Sequence, residues 1–196
     1  MTTLERGFAI AAVALAVLFV TVSVGEDTQL GVELDRPFVV PAEQLARLPS
    51  GLVNALRLPG SPEMTVVLAL LLGTGLFARR KRREAAAALV LFAATVGVEW
   101  LIRRWAFDYP SGHTARFAYL VIVAAGLLPR RWTVLGLFVA VAATLLMALQ
   151  RVATDAHTGT DVIGGALLGA SFACLFLSNR WRGLLARVPG VAAVFG

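Results

Sequence analysis

The sequence predicts an all-α, polytopic membrane protein: a bundle of six transmembrane helices with short amphipathic helices in the first outer loop, forming one membrane-embedded domain over residues 1–196. Three observations lead there. The chain is 58% hydrophobic and 15% charged, with a mean hydropathy of +0.78, outside the range of soluble domains. Apolar runs fall at about 8–24, 64–78, 85–102, 114–128, 132–150 and 160–178, each near the roughly 20 residues a helix needs to cross a hydrocarbon core. Basic residues segregate to alternate connections, so the net charge of +6 and the pI near 10.9 describe an orientation in membrane lipid, with no nucleic-acid partner.

The first run, within "ERGFAIAAVALAVLFVTVSVGED", also has the form of a signal peptide with "SVG" as its cleavage site. We expect it to be retained, because six crossings put both termini on the basic side. Residues 25–63 are the longest polar segment. Within it, "PAEQLARLPSGLVNALRLPG" spaces Leu45, Leu48, Leu52, Val53 and Leu56 as on a helix face, with Ser50 able to cap a second short helix after Pro49. On the outer membrane surface this segment would be a lid over the bundle or one wall of a lateral portal for lipid. "RRKRRE" joins spans two and three and "PRR" joins four and five, which predicts antiparallel neighbours. Span six, "DVIGGALLGASFACLFLS", sets Gly164, Gly165, Gly169 and Ala170 for close helix packing. Its Cys174 is the only cysteine, a small core residue that excludes an internal disulfide.

Threading six helices from an inside N-terminus puts Arg6, the run "RRKRR" at 79–83, Arg130, Arg131, Arg180, Arg182 and Arg187 on one side, with only Glu5 and Glu84 as acids. That is the positive-inside pattern expected of a bacterial plasma-membrane protein with both termini cytoplasmic. The outer face carries Arg36, Arg47, Arg57, Arg103, Arg104, Arg116 and Arg151 against ten carboxylates, and four of those arginines flank the two histidines of the chain.

In "QRVATDAHTGTD", Asp161 follows His157 by four residues at a helix start, where it can reach the ring, fix its tautomer and stabilise the imidazolium. That arrangement makes a nucleophile. Arg151 offers a planar fork of donors to a phosphate oxyanion. In "YPSGHTAR", Pro110 and Gly112 shape a turn before the fourth span. Ser111 and the backbone amides there form an anion-binding helix end, and His113 is placed to act as an acid.

These residues resemble the type 2 phosphatidic acid phosphatase superfamily, membrane-bound lipid phosphatases whose pattern has three parts. The second, Pro-Ser-Gly-His, is complete as Pro110, Ser111, Gly112 and His113. The third, Ser-Arg, five residues, His, three residues, Asp, is matched by Arg151, His157 and Asp161, with Gln150 in place of serine. The resemblance implies a metal-independent enzyme with no cofactor. In it His157 attacks phosphorus, Asp161 orients it, His113 protonates the leaving oxygen, and Arg151, Ser111 and Gly112 hold the phosphate oxygens. Its substrate would be a lipid phosphate or pyrophosphate at the outer face: a polyprenyl carrier such as undecaprenyl pyrophosphate, phosphatidylglycerol phosphate or phosphatidic acid.

The family's first part, a lysine, six residues and then Arg-Pro, is where the chain departs. Its only lysine is Lys81, in the basic run, and no Arg-Pro ends span three. "EWLIRRWAFDYP" offers Arg103 and Arg104 as substitutes, with Arg116 a third candidate. Each also has an ordinary reading. Trp100 and Trp105 suit an aromatic belt that would hold Arg103 and Arg104 at the interface, and Arg116 could contact a helix end or a lipid headgroup. Glu99, inside a span, needs a partner, which Arg103 four residues on can supply. Asp108 and Asp155 read as loop carboxylates. Two histidines and an aspartate could hold zinc, but neighbouring arginines oppose a dication. Two other functions fit the same residues: a non-catalytic lipid-binding membrane protein on this fold, and a lipid phosphotransferase. Oligomeric state is not legible.

Overall fold

The computed structural model of the protein describes residues 3–25, 28–105 and 109–178. The expected loop carboxylate Asp108 and the basic-side residues Arg180, Arg182 and Arg187 lie outside them. All regular structure among the described residues is helical: α1 (Thr3–Gly25), α2 (Gln29–Ala46), α3 (Ser50–Arg57), a 3-10 turn at Leu58–Gly60, α4 (Pro62–Ala78), α5 (Arg82–Arg103), α6 (Gly112–Gly126), α7 (Arg130–Ala153) and α8 (Gly159–Leu177).

Each predicted apolar run falls on a helix, namely α1 and α4 to α8. Four of these, α1 from Arg6, α5, α7 and α8, are long and apolar enough to cross a membrane; α3 with its turn and α4, bent by 46°, make a fifth candidate if taken together. α6 has 15 residues, about 22 Å at 1.5 Å per residue, short of the roughly 30 Å hydrocarbon core. It is also the most enclosed helix, with Ala115, Ala118, Tyr119 and Val123 wholly buried. By contrast α1 and α7 turn Ile10, Val13, Val17, Val134, Phe138 and Val139 outward, an apolar surface that suits lipid.

Local sequence explains most boundaries. The Ser61 hydroxyl accepts from Met64 N at 3.3 Å, with Pro62 at the first helical position of α4. The turn from α4 to α5 is three residues long, with Arg80 in the left-handed region at φ 59°. The loop helices differ from expectation. α2 starts at the Thr28 cap and continues through Pro37 and Pro41, so it is far longer than the short helix predicted before Pro49. Ser50 is not a cap: it is the first residue of α3, with Pro49 before it. Of the predicted stripe, Val53 is buried, Leu45 and Leu56 are half-buried, and Leu48 and Leu52 remain exposed.

The core is the contact between α6 and α8, where small residues let the backbones meet. A methyl group at Gly165 would run into the Ser111 carbonyl, and one at Gly169 into that of Ala115. The small-residue face of α8 is therefore spent inside the chain, at the point where α6 begins. Tyr119 donates to Ala88 O at 2.7 Å, tying α6 to α5.

Candidate active site

Two helix starts meet here. At α8, Thr158 and Asp161 form a reciprocal capping box: Asp161 N donates to Thr158 Oγ1 at 3.2 Å and Thr158 N to Asp161 Oδ2 at 2.8 Å. The same Oδ2 lies 3.4 Å from His157 Nδ1, without the alignment of a formed hydrogen bond. One carboxylate therefore fixes the helix end and faces the ring. A second carboxylate comes from α2, as Thr160 N donates to Asp35 Oδ1 at 2.6 Å. The Thr160 hydroxyl lies 2.7 Å from that oxygen and 3.1 Å from Gly31 O. Asp35 has no marker in the sequence, because its partner is 125 residues away.

At α6, Ser111 N donates to Asp161 O at 3.0 Å, joining the two helix starts through the backbone. Ser111 is fully buried, and its hydroxyl accepts from Thr114 Oγ1 at 3.1 Å. Tyr109 anchors the turn from outside: it stacks on Phe19 with ring centroids 6.0 Å apart, and its hydroxyl is 2.8 Å from Ser23 Oγ. α6 has no side-chain cap. The Glu99 carboxylate packs on Gly112, so closely that a methyl group there would overlap it.

The third wall is the end of α7, where Gln150 is fully buried and Arg151 nearly so. Asp155, at φ 49°, turns the chain back, and Ala156 N donates to Arg151 O at 3.1 Å. The backbone of Gly60 approaches the His113 carbonyl from the loop. The guanidinium groups of Arg151, Arg116 and Arg57 lie near enough to His113 for their charges to act on it. Arg57, in α3, is a cation near the site that motif reading missed. Several buried polar atoms in this region have no hydrogen-bond partner among the described residues: His113 Nε2, His157 Nδ1, Arg116 Nε, Arg151 Nε and both amide atoms of Gln150.

The three arginines proposed as substitutes separate. Arg116 Nη1 is 3.3 Å from Glu99 Oε2 and Arg103 Nη1 is 3.7 Å from Glu99 Oε1, so the expected Glu99–Arg103 pair has a second, more buried member. Arg104 points elsewhere, over the exposed Trp100 ring at 5.7 Å from its centroid.

The sequence profile of the PAP2 superfamily matches residues 7–184. Among curated proteins none matches. Among solved structures the chain is similar to a transmembrane PAP2-type phosphatidylglycerolphosphate phosphatase from Bacillus subtilis, with a TM-score of 0.72 at 19% identity, covering 84% of this chain and 93% of that one. At that identity the likeness speaks for the fold, while the profile match extends over nearly the whole sequence. The chain is a membrane protein and belongs to the PAP2 superfamily.

Proposed function

We propose that the protein hydrolyses a lipid phosphate or pyrophosphate at the outer membrane face without a metal, through a phosphohistidine on His157. The observation that carries this reading is the junction of the two helix starts: Asp161 faces His157 through its side chain and holds Ser111 through its carbonyl. Nucleophile and anion-binding turn are thereby fixed to one residue. On this reading α1 and α4 to α8 are six crossings of one domain, and both termini are cytoplasmic.

His157 Nε2 attacks phosphorus and the bond to the leaving oxygen breaks, His113 giving that oxygen its proton. Asp161 stabilises the positive charge on the ring; contacts of this kind tighten as charge develops. His113 then takes a proton from water, which attacks phosphorus, breaks the P–N bond and releases phosphate. Arg151, Ser111 and the Gly112 amide hold the equatorial oxygens, and Arg116 with Arg103 supplies the charge of the absent lysine. A polyprenyl pyrophosphate, phosphatidylglycerol phosphate and phosphatidic acid all present the required terminal phosphate. The test is phosphate release from these three lipids by detergent-purified protein in excess chelator, beside His157→Ala. Release that survives chelation and is lost in the variant supports the reading. No release by folded wild-type protein would leave a lipid-binding protein without this chemistry.

A further inference from the structure

Glu99 holds the two arginines that the proposed mechanism assigns to the phosphate. It is 4% exposed, with Arg116 Nη1 3.3 Å from one carboxylate oxygen and Arg103 Nη1 3.7 Å from the other. Its carboxylate packs on the backbone of Gly112, the first residue of α6. That helix start has no side-chain cap, and Glu99 Oε2 is buried without a hydrogen bond of its own. Two guanidinium groups over a helix N-terminus form a seat for an oxyanion. A phosphate, with more charge and more acceptor oxygens than a carboxylate, satisfies such a seat better.

We propose that the Glu99 carboxylate occupies the phosphate seat in the resting protein, and that a substrate phosphate binds by displacing it, Arg116 and Arg103 passing from carboxylate to phosphate. This rests on the phosphatase reading and adds a substrate class to it. Only a group that outcompetes a singly charged carboxylate gains the seat, so terminal phosphates and pyrophosphates are admitted. Phosphodiesters, with one charge, are refused. A membrane offers diester headgroups at concentrations far above any terminal phosphate, and two unguarded arginines beside a helix start would hold them. An internal competitor raises the Kd of every anion by the same factor, which leaves the weakly held, singly charged diesters unbound while the doubly charged phosphates, held most tightly, still bind.

The experiment measures binding of inorganic phosphate and of glycerophosphoglycerol, a soluble diester, to detergent-purified wild type, Glu99→Gln and Glu99→Asp by calorimetry, with wild-type turnover assayed in parallel. Gln removes the charge at constant shape. Asp draws it back by one methylene and serves if Gln does not fold. Phosphate Kd is expected to fall about tenfold in Gln and about threefold in Asp, and the diester to bind only in the variants. Unchanged or weaker phosphate binding in the folded variants, with wild-type turnover intact, overturns the proposal and leaves Glu99 as a partner that positions the arginines. Phosphate binding to none of the three proteins overturns this proposal, and the phosphatase reading falls with it only if wild-type turnover is absent as well.

Discussion

The starts of α6 and α8 lie side by side, bonded through Ser111 and Asp161, yet they are finished in opposite ways. α8 is closed by the protein itself: Thr158 and Asp161 cap each other, and Asp35 reaches from α2 to the next amide. α6 has no side-chain cap, and buried arginine and carboxylate face it. On the proposed mechanism the difference is one of task. A helix end that holds a nucleophile benefits from being over-determined, since a small misplacement of the attacking atom costs much of the rate. A helix end that receives an anion must keep its donors in reserve.

The strongest way to break the comparison is at the closed end. His157→Ala is expected to lower phosphate release at least about 10³-fold, with little change in thermal unfolding, because the ring caps nothing. Next, Asp161→Asn and Asp161→Ala separate the two duties of that carboxylate. Asn retains a cap acceptor and loses the charge facing His157, so turnover falls about 10²-fold or more while Tm stays close to wild type. Ala loses both, with about 1 kcal/mol of stability gone in addition. Equal Tm for the two variants would show that the capping box contributes nothing.

Asp35→Ala tests the brace from α2. It frees the Thr160 amide, and the expected result is a loss of about 1–2 kcal/mol by denaturant titration and about a tenfold fall in kcat with KM held. A rise in KM alone would instead make α2 part of the substrate's path. The smallest effect belongs to the arginine turned away from both helix starts: Arg104→Ala should leave kcat/KM within about twofold, whereas Arg116→Ala leaves the buried Glu99 with only the longer, more exposed contact to Arg103 and should lower it far more. A large loss at Arg104 would sink the assignment of the clamp to Arg116 and Arg103.

What the sequence shows of this site is what lies close along the chain. His157 to Asp161 is one helical turn, and Pro110 to His113 is four consecutive residues, so type and spacing suffice to find them. Glu99 with Arg103 is legible for the same reason. Arg116 is a candidate by its place three residues past His113, but its pairing with Glu99 needs the fold, while Asp35 and Arg57 join through the packing of separate helices and carry no mark in the sequence. Arg103 and Arg104 are adjacent and of the same type, and what separates them is the helical rotation that carries one to Glu99 and the other to Trp100. Among the elements, the apolar runs marked every helix from α4 to α8. α2 was obscured because Pro37 and Pro41 read as breaks, although the helix runs through both. Ser50 resembles a cap in composition, but Pro49 already sets the chain's entry into α3.

The contact of Tyr109 with Phe19 and Ser23 bears on the order in which the protein is made. Ser23 and Tyr109 are 86 residues apart, and α1 also packs along α8, through Phe19 and Val22 against Leu168 and its neighbours. The first described helix thus has its main partner in the last described one. During synthesis the contacts that hold α1 against α8 cannot form until α8 has been made. On the proposed function, a chain released before α8 would carry the Ser111–His113 turn without the Asp161 carbonyl that holds it.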